Sequence, residues 1–290
     1  MIESHPFKLS NLHQRLRQRK QQSIFVAKMY YELGKTIKCE RMLNCSNEFY
    51  ISKVEEESGL KFYSVNSWSQ CKQRHCPMCQ LLKSFKLRAL LKKSILIESN
   101  YLLLTLTIKN CELSELRKTT ELMSEGWSKF WKSAKNDCFI GYLRSLEISV
   151  DQEGKGHPHY HILLQTEENY FKEKYKPNTW FSDRWKYSLN LDYTPITWIS
   201  KVKGNGLMEC TKYITKPSAY CNGKILEILD KELDGIHSYS RGGKMKVKQE
   251  DLDKIERGEK FESQERQGKP DFKIEWKTNS WNVKQWQLPE

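Results

Sequence analysis

Apolar residues change their spacing several times along the chain, and each change predicts an element. Residues 11–33, "NLHQRLRQRKQQSIFVAKMYYEL", have helical spacing and many basic residues, with Gly34 as the stop. "CERMLNCSNEFYISKV" through "FYSVNSWSQ" reads as short strands and turns. The second half of "CKQRHCPMCQLLKSFKLRALLKKSILIES" returns to helical spacing, with Leu82, Phe85, Leu90 and Leu91 set between lysines. "YLLLTLTIKN", 101–110, is apolar and β-branched and reads as a central strand. Residues 113–135 predict an amphipathic helix carrying Leu116, Leu122, Met123, Trp127, Phe130 and Trp131.

Strands "GYLRSLEISVD", 141–151, and "HPHYHILLQT", 157–166, flank the turn "QEGKG", which predicts a hairpin. "TWFSDRWKYSL" follows as a short helix capped by Thr179 or Ser182. "PITWISKVK" is a fourth strand, and "GLMECTKYITK", 206–216, a helix stopped by Pro217. The last 50 residues are charged, carry Trp276, Trp281 and Trp286, and read as an appended helix or a partly disordered tail. Helices mixed with strands, including an adjacent hairpin, predict an α+β fold around an antiparallel sheet.

Charge narrows the partners. The chain has 290 residues, with 49 basic against 36 acidic, a formal charge of +13. From Arg241 onward the count is 12 basic to 10 acidic, so the first 240 residues hold 37 against 26. A positive surface favours phosphate polymers through counterion release, without sequence preference. No apolar run approaches the roughly 18 residues of a membrane span, and "MIESHPFKLS" lacks a signal-peptide core. A soluble intracellular protein is therefore expected, with no membrane partner.

Nine cysteines are an odd number for a disulfide framework, and Cys71, Cys76 and Cys79 lie close together. The Cys-x-x-Cys turn at 76–79 aims two sulfurs at one point, as in a zinc knuckle. Cys45 or Cys39 could supply a fourth ligand, and His75 competes. Such a site would be closed and structural.

On a strand, residues two apart share a face, so His159 and His161 point the same way. Glu147, on the other arm of the hairpin, is the natural third ligand. Two imidazoles and a carboxylate leave positions open for substrate oxygens on a divalent ion. In "LMECTKYITK", Glu209, Tyr213 and Lys216 lie along one helical stripe. A tyrosine so placed is a candidate nucleophile, with the glutamate as activator of a water and the lysine as charge stabiliser.

The order "FYSVNSWSQCKQRHCPMCQ", "YLLLTLTIKN", "YLRSLEISVD", "HPHYHILL", "MECTKYITK" resembles the plasmid rolling-circle replication initiators of the HUH endonuclease superfamily, in the branch with one catalytic tyrosine and a nearby glutamate. The resemblance covers roughly residues 45–220. It implies a central HUH-type sheet flanked by helices, with a small N-terminal zinc-binding module. It assigns the catalytic metal to His159, His161 and Glu147, the nucleophile to Tyr213, and the place of a second tyrosine to Glu209. His157 falls at a position the family does not require. Cys45, Cys71, Cys76 and Cys79 fit the family's cysteine positions, whereas Cys39 does not.

The expected organisation is a basic helical segment at 1–38, a zinc module at 39–80, a nicking domain at 81–235 and a charged extension at 236–290. The implied reaction is site-specific nicking of single-stranded or extruded origin DNA through a 5′-phosphotyrosine link, leaving a 3′-hydroxyl primer. Mg²⁺ or Mn²⁺ would serve catalysis and Zn²⁺ structure. Lys216 is expected to stabilise developing charge. Arg144, and the basic helix 83–93 with Lys83, Lys86 and Arg88, are expected to hold the DNA backbone. A host helicase and polymerase in the bacterial cytoplasm are implied partners. Relaxases usually place the tyrosine before the histidines, which disfavours that relative and a single-strand transposase. A zinc-stabilised DNA-binding regulator without catalysis leaves the His–Glu–Tyr set unexplained.

Overall fold

The computed structural model describes residues 9–55, 61–94, 100–135, 137–202, 222–245, 247–257, 272–277 and 280–285. The chain forms two compact units, residues Met1–Leu82 with Lys260–Glu290, and Lys83–Glu259.

The first unit opens with α1 (Leu9–Glu32), whose buried stripe is Leu16, Lys20, Ser23, Ala27 and Tyr30. Gly34, at φ +71°, ends it in the left-handed region that glycine tolerates. Next comes α2 (Thr36–Leu43), a helix where strands and turns were expected; it buries Cys39 and Met42. Strands β1 (Glu48–Glu55) and β2 (Lys61–Trp68) form an antiparallel pair.

Among the described residues of the charged tail, Gln249–Arg257 form a helix in the second unit, whereas the stretch that joins the first unit forms strands. Its residues give β8 (Phe272–Lys277) and β9 (Ser280–Gln285), and β8 pairs antiparallel with β1 in a sheet of order β2-β1-β8-β9. Glu48 faces Glu275 in that register, a pairing of like charges. Lys273 relieves it, with Nζ 3.0 Å from Glu48 Oε1 and 2.5 Å from Glu275 Oε1. The tail's high charge thus serves strand pairing, a non-local use that local composition does not reveal. Helix α3 (Pro77–Ser94) follows the cysteine-rich stretch.

The second unit is built on an antiparallel sheet of order β6-β3-β5-β4-β7. Its strands are β3 (Asn100–Thr107), β4 (Phe139–Val150), β5 (Gly156–Thr166), β6 (Thr197–Lys201) and β7 (Tyr239–Gly243). Its helices are α4 (Leu116–Ala134), α5 (Asn178–Leu189), α6 (Gly223–Glu232) and α7 (Gln249–Arg257). Residues after 236, expected as an extension, supply β7, which pairs with β4, and α7.

Period-2 alternation divides this sheet into two faces. Leu102, Leu104, Leu106, Tyr160, Ile162 and Leu164 pack against α4 and α5, where Trp127, Phe130 and Trp185 fill the core. A Cβ on Gly126 would stand 2.4 Å from Leu189 Cδ2, so glycine there permits the close approach of α4 and α5. The opposite parity carries Thr105, Thr107, Glu147, His157, His159 and His161.

The β4–β5 turn is held by Asp151 Oδ1, which accepts from the backbone N–H of Glu153 and Lys155 at 2.9 and 2.8 Å. Neither Thr179 nor Ser182 caps α5. Pro177 occupies that position, and Ser182 Oγ instead donates to Thr179 O within the helix. Asn178 fixes the start of α5 by a reciprocal pair of 3.1 Å hydrogen bonds with Thr197 of β6. No helix among the described residues is long and apolar enough to cross a membrane.

Candidate metal centres

The hairpin register puts Glu147 opposite His159 and Ser145 opposite His161. Cross-strand neighbours on one face come within side-chain reach, and here three ligand atoms converge. His161 Nε2 stands 3.2 Å and His159 Nε2 3.7 Å from Glu147 Oε2. All three side chains are largely shielded from solvent, and their ligand atoms lie within 4.8 Å of one another.

The far nitrogens fix the rings. His159 Nδ1 is 3.1 Å from the carbonyl oxygen of His157. A carbonyl only accepts, so this contact places the proton on Nδ1 and leaves Nε2 its lone pair. His161 Nδ1 is 3.2 Å from Thr105 Oγ1, on the neighbouring strand β3. Burial pushes the Glu147 carboxyl up, but the facing imidazoles outweigh it and bring the carboxyl down to about 2. Glu147 Oε2 is buried and has no hydrogen-bond donor among the described residues. A buried carboxylate oxygen beside two imidazole nitrogens is a donor set that suits a divalent cation.

Sequence reasoning named His157 as an extra. Its ring stands 5.4 Å from that of His159, edge to face, and its carbonyl serves the site. Thr105 was missed as a functional residue, although it lies in the quoted strand "YLLLTLTIKN" and strand parity places it on the histidine face. Tyr213, Glu209 and Lys216 lie outside the described residues.

Arg144 is not brought to this cluster. It lies on the helix-covered face, its guanidinium 4.2 Å from the Tyr160 ring centroid and 6.0 Å from that of Trp127. Lys83 and Lys86 are buried, which removes them from the solvent where a phosphate backbone would run. The side chain of Arg88 lies outside the described residues.

In the first unit, Cys45, Cys71, Cys76 and Cys79 form a second, fully buried group. Cys39 and His75 are buried outside it, so the geometry selects Cys45 as the fourth thiol. Sulfur separations are 3.5 Å for Cys45–Cys79, 3.6 Å for Cys71–Cys79 and 3.7 Å for Cys45–Cys76. A disulfide needs about 2.05 Å, whereas sulfurs around one tetrahedral zinc at about 2.3 Å stand about 3.8 Å apart. Hydrogen bonds from Cys71, Cys76 and Cys79 hold the Cys45 thiol far below the ordinary range, and the same contacts push Cys71 and Cys79 above it. Four thiols so close suit one shared cation.

Lys20, another residue that sequence reasoning missed, is 1% exposed. Its Nζ donates to Leu43 O, Cys45 O and Asn47 Oδ1 at 2.8, 2.7 and 2.6 Å, satisfying all three ammonium protons. Burial lowers its pKa, and Cys45, Cys76 and Cys71 oppose that shift. A buried cation beside the four sulfurs offsets part of whatever negative charge they carry.

A family model described as Replication protein matches residues 62–287, well over half the chain. The chain belongs to the Replication protein family. The matched stretch reaches from β2 past β9, so membership covers both units, the His–Glu cluster and three of the four clustered cysteines. This bears out the recognition of a plasmid rolling-circle replication initiator. A "Protein rep" from Bacillus amyloliquefaciens is 34% identical over 203 residues, 65% of this chain and 59% of the relative. One from Bacillus sp is 33% identical over 180 residues, 59% of this chain and 57% of the relative. One from Streptococcus pneumoniae is 32% identical over 220 residues, 69% and 67% respectively. The chain thus spans less than two thirds of the length of the first two. No solved structure matches it.

Proposed function

We propose that the chain nicks plasmid origin DNA to start rolling-circle replication, as a metal-dependent HUH endonuclease. The observation that supports this most strongly is the convergence of His159 Nε2, His161 Nε2 and Glu147 Oε2 within 4.8 Å on one sheet face. A divalent cation, Mg²⁺ or Mn²⁺, held by these three would supply Lewis-acid polarisation of a phosphate oxygen. Thr105 and the His157 carbonyl contact the far nitrogens of the two rings and so hold both Nε2 atoms toward the proposed cation position.

Tyr213 is the proposed nucleophile. Its phenolic oxygen bonds to phosphorus, the P–O3′ bond breaks, and the departing 3′-oxygen takes a proton to become a 3′-hydroxyl. The protein is left on the 5′-phosphate, so the phosphodiester bond energy is kept and rejoining needs no nucleotide cofactor. Lys216 offsets charge on the phosphoryl oxygens. At termination Glu209 takes a proton from water, whose oxygen bonds to phosphorus at the regenerated origin site while the P–O3′ bond breaks; the freed 3′-hydroxyl attacks the phosphotyrosine, and Tyr213 leaves and regains its proton. The 3′-hydroxyl would prime a host polymerase behind a host helicase. The four-cysteine group is proposed to hold a structural Zn²⁺.

The test is incubation with labelled single-stranded origin DNA and Mn²⁺ or Mg²⁺, followed by a denaturing gel. A protein–DNA band that requires the cation supports the reading. Sequence-specific binding with no such band would make the protein a zinc-stabilised DNA-binding regulator instead.

A further inference from the structure

Beside the His–Glu cluster the sheet exposes an indole. β6 is the outer strand next to β3. Its Ile199 packs with the helix-covered core, so Trp198, one residue away, projects from the other face. Trp198 pairs with Thr105, Thr105 pairs with His161, and the Thr105 hydroxyl touches the His161 ring. The indole and the metal-side imidazole therefore occupy one cross-strand row, two strand spacings or roughly 10 Å apart along the backbone.

Trp198 is 69% exposed, and nearby in sequence Ile196 is 78% and Tyr187 87% exposed. The same unit buries Trp127 and Trp185 completely, so it has the means to cover an indole. An exposed aromatic on the sheet face that carries the His–Glu cluster complements single-stranded DNA, whose bases offer a π-face for stacking.

We propose that Trp198 is a stacking platform for an unpaired base of the DNA strand that enters the His159–His161–Glu147 centre. The proposal rests on the cleavage reading only for the identity of that centre, since stacking is measured without cleavage. Stacking is tolerant of base identity, so Trp198 holds the strand in place rather than reading its sequence.

The test uses the full chain and single-stranded origin oligonucleotides in which one position at a time is abasic. Affinity is read by fluorescence anisotropy without added Mg²⁺ or Mn²⁺, so no cut occurs and the four-thiol group is left undisturbed. Trp198→Ala should weaken binding of the intact oligonucleotide by roughly ten-fold or more, and Trp198→Phe should recover most of it. At one position the abasic substitution should cost wild type heavily and the alanine variant little. Equal affinity of wild type and Trp198→Ala would overturn the proposal. So would losses that add independently at every abasic position, even if the alanine variant melts at a lower temperature. A change in oligomeric state on substitution, with DNA affinity intact, would assign the indole to a protein contact and also overturn it. An absent denaturant-stable band with wild type would count against the cleavage reading alone.

Discussion

Thr105 Oγ1 lies 3.2 Å from His161 Nδ1, which ties the apolar strand β3 to the aim of an imidazole of the candidate metal centre on β5. A threonine amid leucines costs burial of a hydroxyl, and orientation of His161 is its return. Thr105→Val keeps the shape and removes the hydroxyl. We expect Mn²⁺ affinity, measured by calorimetry, to fall by about 10- to 100-fold, the usual effect of losing a partner of a metal-bound histidine. Thr105→Ser should restore it. Unchanged affinity in the valine variant would mean that the contact does not orient the ring.

Glu147 gives a pH signature in protein stripped of divalent ions. Its carboxyl is held at about 2 in the fold, below the ordinary value of 4.5. A carboxylate depressed by folding stabilises the protein above its unfolded pKa and loses that contribution as pH falls toward the folded one. The stability advantage of wild type over Glu147→Gln, from urea unfolding in chelator, should shrink from about pH 4.5 downward. An advantage that grows as pH falls would contradict the stated environment.

Tyr213→Phe should abolish both the nick and the denaturant-stable adduct while leaving single-strand binding within about two-fold, since only a hydroxyl is lost. Glu209→Ala should leave the first cleavage intact and slow hydrolytic release by about 100-fold or more, in keeping with loss of a general base. Single-turnover assays on suicide oligonucleotides separate the two steps. Equal loss of both in the alanine variant would indicate a structural role for Glu209.

The four-thiol group should hold zinc that survives dialysis and is released with unfolding of the first unit under strong chelation. Lys20→Met deletes three buried hydrogen bonds and leaves carbonyl groups unpaired. A loss of about 2–4 kcal/mol is expected, together with faster zinc release to a colorimetric chelator. Wild-type release kinetics in the methionine variant would show that the ammonium does not stabilise the thiolates.

Strand parity made much of the second unit legible. It placed His159, His161 and Glu147 on one face, and the short Asp151 turn set the register that made them neighbours. The same rule applied to Arg144 shows it three residues from Glu147 and so on the opposite face; its charge drew attention away from its position. Lys20 was hidden for a different reason. In a run of basic residues on a helix, one buried lysine looks like the exposed ones until the segment it bonds is known. Lys83 and Lys86, expected to hold the DNA backbone, are likewise buried, which their charge alone does not reveal. The partnership of β1 with β8 carries no local signal at all, since more than 200 residues separate them.

That pairing sets an order for synthesis. Everything from Lys83 to Glu259 leaves the ribosome before β8 exists, so the sheet carrying the histidines is free to fold on the nascent chain while β1 and β2 wait for their neighbours. A message cut short before codon 272 would yield a protein with its imidazole–carboxylate centre intact and its first sheet halved.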